Sequence, residues 1–81
     1  MPSNIDQARA LLAAALEMQV ADVTPDSSIT TLEQWDSLAH MRLVMLLEKT
    51  LNASLPVDDI LSIDDVKGIA RILSNEGAAG A

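Results

Sequence analysis

The chain has 81 residues, about half the length of a typical globular domain, so one domain with one small core is expected. It contains no Cys, which excludes disulfide staples, thiolate metal sites and thiol catalysis by its own side chains. Twelve acidic residues against five basic ones give a formal charge of −7, which disfavours nucleic acid and anionic lipid and points to protein partners with basic surfaces.

The first helix is predicted to begin after Ser3, which can cap it together with Asp6, and to end near Gln19. Its apolar positions Ile5, Leu12, Leu16 and Val20 recur near helical spacing. From Ala21 to Gln34 the chain holds Pro25, several Ser and Thr and little periodicity. That reads as a loop, long for so small a domain, with Ile29 and Leu32 pinning it to the bundle. A second helix is predicted from Ser37 to about Leu51, with Asp36 as its N-cap and no Pro or Gly inside it. Leu43, Leu47 and Leu51 form one i, i+4, i+8 stripe, whereas Leu38, Met41 and Met45 lie along another edge. Both edges cannot face one small core.

A single turn from Val57 to about Leu61 reads as a short third helix. Ser62 with Asp65 then forms a capping box for a fourth, whose Val66, Ile69, Ile72 and Leu73 should face inward. The expected fold is all-α: a small four-helix bundle of three longer helices and one short one, with a long loop between helices 1 and 2. Residues 1–76 form the expected domain, and 77–81 a flexible tail with neither charge nor bulk to hold it. With one Trp and no Phe or Tyr, the interior must be filled by aliphatic residues and Met. The N-terminal residues lack the basic region of a signal peptide, and the longest apolar run, Ala10 to Leu16, is too short to span a bilayer. A cytoplasmic, monomeric protein without membrane insertion is expected.

The most informative segment is Gln34-Trp35-Asp36-Ser37-Leu38, where the long loop enters the second helix. A serine at the first helical position points its hydroxyl outward beside backbone N–H groups that lack an intrahelical partner, a geometry that suits a phosphate. Asp36 can cap the helix, and its carboxylate can also help hold a divalent cation during phosphoryl delivery. Asp-Ser before an apolar run is equally an ordinary helix start, so the residues alone leave capping and attachment both open. His40 lies three residues beyond Ser37, but it has no third group to orient it and is read as a partner contact or neutral bystander, not a catalytic base. The acidic residues do not follow the spacing of a calcium loop, and no metal site is expected.

Asp36-Ser37-Leu38 matches the attachment motif of acyl carrier proteins, and the chain resembles that family over nearly its whole length. The order of elements agrees, as do Leu43-Val44-Met45, Leu47-Glu48, Leu55-Pro56 and the closing amphipathic helix. The resemblance implies that Ser37 is esterified with 4′-phosphopantetheine, taken from coenzyme A by a phosphopantetheinyl transferase, and that the chain is a carrier and not an enzyme. It also implies an acyl-loading ligase or transferase and downstream enzymes as partners. Leu38, Met41 and Met45 match positions where family members meet partner enzymes, and Trp35, His40 and Arg42 are grouped with them as expected partner contacts. Leu43, Leu47, Leu51, Ile60, Ile69 and Leu73 would line a core that admits an acyl chain.

The chain also departs from the family's fatty-acid carriers. Their second helix is typically strongly acidic, whereas from Ser37 to Leu51 this chain has Glu48 against Arg42 and Lys49, a formal +1. Trp35 stands where a small or aliphatic residue is usual, and Gln34 where a Gly is usual. These differences point toward a specialised carrier in lipid, polysaccharide-modification or secondary metabolism. A general fatty-acid carrier, an aminoacyl or peptidyl carrier, and a non-carrier helical interaction module are the competing readings.

Overall fold

A computed structural model describes residues 4–79, with side-chain surroundings described for residues 4–74. Four α-helices carry the fold: α1 (Asn4–Leu16), α2 (Ser37–Leu51), α3 (Val57–Ser62) and α4 (Val66–Ala79). A 3-10 turn (Val20–Asp22) interrupts the long loop. Among the described residues there is no strand, only one isolated antiparallel bridge between Ser28 and Asp65. The all-helical bundle, three longer helices and one short one, is the one the sequence predicts.

α1 ends three residues earlier than expected. Glu17 adopts a left-handed φ of 57°, and its N–H reaches Ala14 O at 3.3 Å while Met18 N–H reaches Ala13 O at 2.9 Å. This is the Schellman pattern, built on a Glu where Gly is usual, so residue type does not announce it. The early stop leaves Val20 exposed and outside the helix. Leu12 and Leu16 are buried, as are Ala8, Ala13 and Ala15, whose small side chains let α1 lie close against α2 and α4. The predicted Ser3 cap lies outside the described residues.

α2 keeps its predicted bounds. Asp36 Oδ1 accepts the Ala39 N–H at 2.8 Å, and the helix closes on Asn52 at φ 53°, a left-handed position that Asn tolerates. Ala39, Leu43, Val44 and Leu47 are buried, whereas Leu38, Met41 and Met45 are exposed, so the two apolar edges do face different ways.

The long loop is held mainly by residues other than those expected. Leu32 is buried, but Ile29 is 43% exposed, and the remaining apolar anchors are Val23 and Trp35. Arg9 of α1 reaches over and donates to the carbonyls of Val20 and Val23. Ile29 contributes through its backbone: its N–H donates to Asp64 O at 2.8 Å, and Val66 N–H donates to Ser27 O at 3.1 Å. Those two bonds clasp the loop to the link before α4. Buried Ser27 accepts the Thr24 N–H at 2.9 Å, which satisfies its hydroxyl within the loop.

α4 is capped by Asp65, whose Oδ1 accepts the Gly68 N–H at 2.7 Å. The expected capping box on Ser62 does not form, because Ser62 closes α3 and donates to Asp59 O at 2.9 Å. Val66, Ile69, Ile72 and Leu73 are buried as predicted. The backbone stays helical from Gly77 to Ala79, the start of the segment expected as a tail, while Gly80 and Ala81 lie outside the described residues.

Candidate functional site

The site is assembled where the loop becomes α2. Two short backbone bonds, Trp35 N–H to Leu32 O and Asp36 N–H to Gln34 O, both at 3.0 Å, bend the chain into Asp36. Asp36 is extended (φ −101°, ψ −175°), caps Ala39 with its side chain, and accepts the first helical bond from His40 N–H at 2.9 Å. Ser37 is thereby the first helical residue, and its side chain is exposed. Among the described residues, its hydroxyl and the N–H groups of Ser37 and Leu38 have no hydrogen-bond partner. An outward oxygen next to two free donors at the positive end of a helix fits a phosphodiester.

Trp35 is buried and His40 half-buried where the loop meets α2. Trp35 is 3% exposed, and its Nε1–H donates to His40 Nδ1 at 3.0 Å, the rings stacking with centroids 6.1 Å apart and planes 22° from parallel. An indole N–H only donates, so Nδ1 is the accepting nitrogen and the ring proton sits on Nε2. That nitrogen donates to Ile60 O at 2.9 Å, a carbonyl in the last turn of α3 that has no intrahelical partner. Trp35 is thus drawn into the core, whereas His40 stays half-buried beside Ser37. The Trp ring is spent on the core, and both nitrogens of His40 are spent on a bridge from the loop to α3. A ring held this way is not poised to take a proton from Ser37.

A family model described as a phosphopantetheine attachment site matches residues 6–73. The chain belongs to this family of acyl carrier proteins. Its covalent group is 4′-phosphopantetheine. Such carriers are modified by a phosphopantetheinyl transferase, meet partner enzymes, and are typically not catalytic themselves. No curated protein compared with the carrier gives a significant match. Among the described residues, no helix is long and apolar enough to cross a membrane, and no three His, Cys, Asp or Glu side chains converge as a metal site.

Around Ser37 the carrier presents an open groove of about 610 Å³. Asp36, Ser37 and Met41 form one side, Ile60, Leu61 and Asp64 the other, with Trp35, His40 and Ile63 also in its lining. Leu38 (62% exposed) and Met45 (65% exposed) continue the apolar surface along α2. Arg42 points elsewhere, into a second groove of about 420 Å³ with Lys49, Met45, Leu46, Ala14 and Ala15. Of the six residues expected to line an acyl cavity, Leu43, Leu47, Ile69 and Leu73 are packed in the core, and Leu51 and Ile60 are partly buried at its edge.

Sequence reasoning missed Ile29, Leu61, Ile63 and Asp64 as groove residues. Leu61, 77% exposed, carried a usable signal: a six-residue helix has no room for a buried stripe, so its large apolar residues must either flank the core or face out. Asp64 and Ile29 carried none, because their placement depends on a backbone pairing between distant loops.

Proposed function

We propose that this chain is a discrete carrier that holds its 4′-phosphopantetheine on Ser37 Oγ and serves a dedicated partner set in specialised lipid, polysaccharide or secondary metabolism. The observation that carries the attachment reading is the exposed, unpartnered Ser37 hydroxyl at the first position of α2, with the cap on Asp36 leaving the N–H groups of Ser37 and Leu38 free. When bound, the arm supplies the thiol that the cysteine-free chain lacks, for a cargo held as a thioester. The chain's own residues present it. Asp36 fixes the helix start, Trp35 anchors the incoming loop, and Leu38, Met41 and Met45 offer an apolar face to an enzyme. Unbranched, polarizable Met suits a surface that must fit more than one partner.

The specialised reading is supported by the charge of α2. Arg42 and Lys49 are exposed and make no ion pair among the described residues. Glu48, which would offset them, is turned to the following turn, where its Oε2 accepts the Leu55 N–H at 2.8 Å. A partner with basic docking residues would meet repulsion here, whereas one with acidic residues would be steered in. Cytoplasmic placement and a monomeric carrier belong to the same proposal.

The test of attachment is mass spectrometry after incubation with coenzyme A, magnesium and a broad-specificity phosphopantetheinyl transferase. The wild-type chain gains the mass of one arm and Ser37→Ala gains none. Modification of the Ala variant at an unchanged rate would place the arm elsewhere.

A further inference from the structure

The groove beside Ser37 and the core behind it are separated by one construction. Trp35 and Ile63, both buried, belong to the same apolar cluster as Leu43, Leu47 and Ile69, and they also line the groove. His40 stands between the loop and α3, its two nitrogens engaged by the Trp35 indole and the Ile60 carbonyl. α3 itself has no buried side chain and no side-chain cap at its start. Its position therefore rests on its flanks, Leu55 and Ile63, on the partly buried Ile60 at the edge of the core, and on the bond from His40. A group entering the core from the Ser37 side would have to part α2 from α3, which breaks the bond from His40 Nε2 to the Ile60 carbonyl and frees the ring that Trp35 holds in place. A group lying in the groove does neither. The groove's volume, about 610 Å³, falls within the roughly 300–1,000 Å³ of small-molecule clefts.

Given attachment at Ser37, on which this inference rests, we propose that the Trp35–His40–Ile60 bridge is a latch that keeps the cargo in the surface groove and out of the helical core. The occupant is the carrier's own arm with its acyl group folded back along Met41, Leu61 and Ile29. The tether begins at a residue that lines the groove, so any group on it starts at the groove's mouth. The cargo class that follows is a short acyl group. A long alkyl chain would overrun the groove and stay in water, because the latch denies it the core.

The test uses the full chain, labelled at Ile, Leu and Met methyl groups and carrying a butyryl or a tetradecanoyl arm transferred whole from the corresponding acyl coenzyme A. Mass spectrometry comes first: no added arm, or an arm that persists in Ser37→Ala, overturns the attachment reading and this inference with it. On correctly loaded protein, both acyl groups should shift the methyl signals of Ile29, Met41 and Leu61. They should leave Leu47, Ile69 and the single indole N–H signal of Trp35 in place. In His40→Ala, and in Trp35→Phe, which keeps an apolar ring but removes the donor, the tetradecanoyl group should shift Leu47 and Ile69 several-fold more than in wild type. Trp35→Phe carries the comparison if His40→Ala does not fold. Equal core shifts in wild type and variant would overturn the latch, as would no core shift in any variant. Groove signals that do not respond to loading would overturn the seat.

Discussion

The two helices of the C-terminal half, α3 and α4, are held by different means. α4 buries Val66, Ile69, Ala70, Ile72 and Leu73, so apolar contact fixes it against α1 and α2. α3 fully buries no side chain, only Ile60 of its apolar residues packs partly against the core, and its last carbonyls find partners one by one, Asp59's in the Ser62 hydroxyl and Ile60's in His40. Apolar burial is non-directional and summed over many atoms, whereas a wall held by single hydrogen bonds can yield when one of them is lost. The difference teaches that the bundle has a fixed side and a compliant side, and the candidate attachment serine opens onto the compliant one.

The strongest way to break the comparison is on the fixed side. Leu47→Ala or Ile69→Ala removes a fully buried side chain and should cost about 2–5 kcal/mol, read as a lower denaturant midpoint with loss of helical circular dichroism. All amide protons should lose protection together.

Next in size is the compliant side. His40→Ala strands the Trp35 N–H and the Ile60 carbonyl, each with a desolvation cost of about 1–3 kcal/mol, which water entering from the open groove should reduce toward the lower figure. Hydrogen exchange should speed up across α3 while the α1–α4 contact keeps its protection. Uniform acceleration would mean that α3 is no more independent than α4.

The sequence makes much of this architecture legible, and the misses share a cause. The start of α2 was readable because Asp36 followed by a run free of Pro and Gly is a local signal, and the outward set Leu38, Met41 and Met45 was readable because two apolar edges cannot face one small core. The end of α1 was not, since Glu17 takes a conformation that its side chain does not favour. The cap of α4 went to Asp65, not Ser62, because α3 extended through Ser62 and used its hydroxyl first. The bond between Trp35 and His40 was not legible, because it spans a loop–helix junction at a spacing that no helical periodicity marks. Arg42 and Lys49 were legible as charge, but not as lining one groove with Ala14 and Ala15 of α1.

A smaller effect sharpens the comparison through paired caps. Asp36→Ala and Asp65→Ala each remove one N-cap acceptor and should each cost about 1 kcal/mol. Thermal midpoints should fall alike, yet only Asp36→Ala should slow arm transfer by the transferase. Equal rates in both would show that the start of α2 need not be fixed for attachment.

The smallest effect on stability is expected from Arg42→Glu with Lys49→Glu, within about 0.5 kcal/mol because both side chains are exposed and unpaired. Its effect on partners should be large. Loading of the holo-carrier by a fatty-acid malonyl transferase should rise and loading by the cognate ligase fall, most clearly at low salt. Equal loading by both enzymes would return the general fatty-acid carrier to first place.

The clasp between residues 27–29 and 64–66 also orders events in time as the chain is made. Everything that caps α2 lies between Asp36 and His40, so the proposed attachment serine can be presented as soon as that stretch is free to coil. The groove cannot exist until Ile60 and Asp64 have been synthesised, since His40 and Ile29 need their carbonyls. A nascent chain of about fifty residues should therefore display the serine without its groove, and a transferase that reads only the helix start would act on it before folding is complete. One that also grips the groove would wait for nearly the whole carrier, making modification a check on finished molecules.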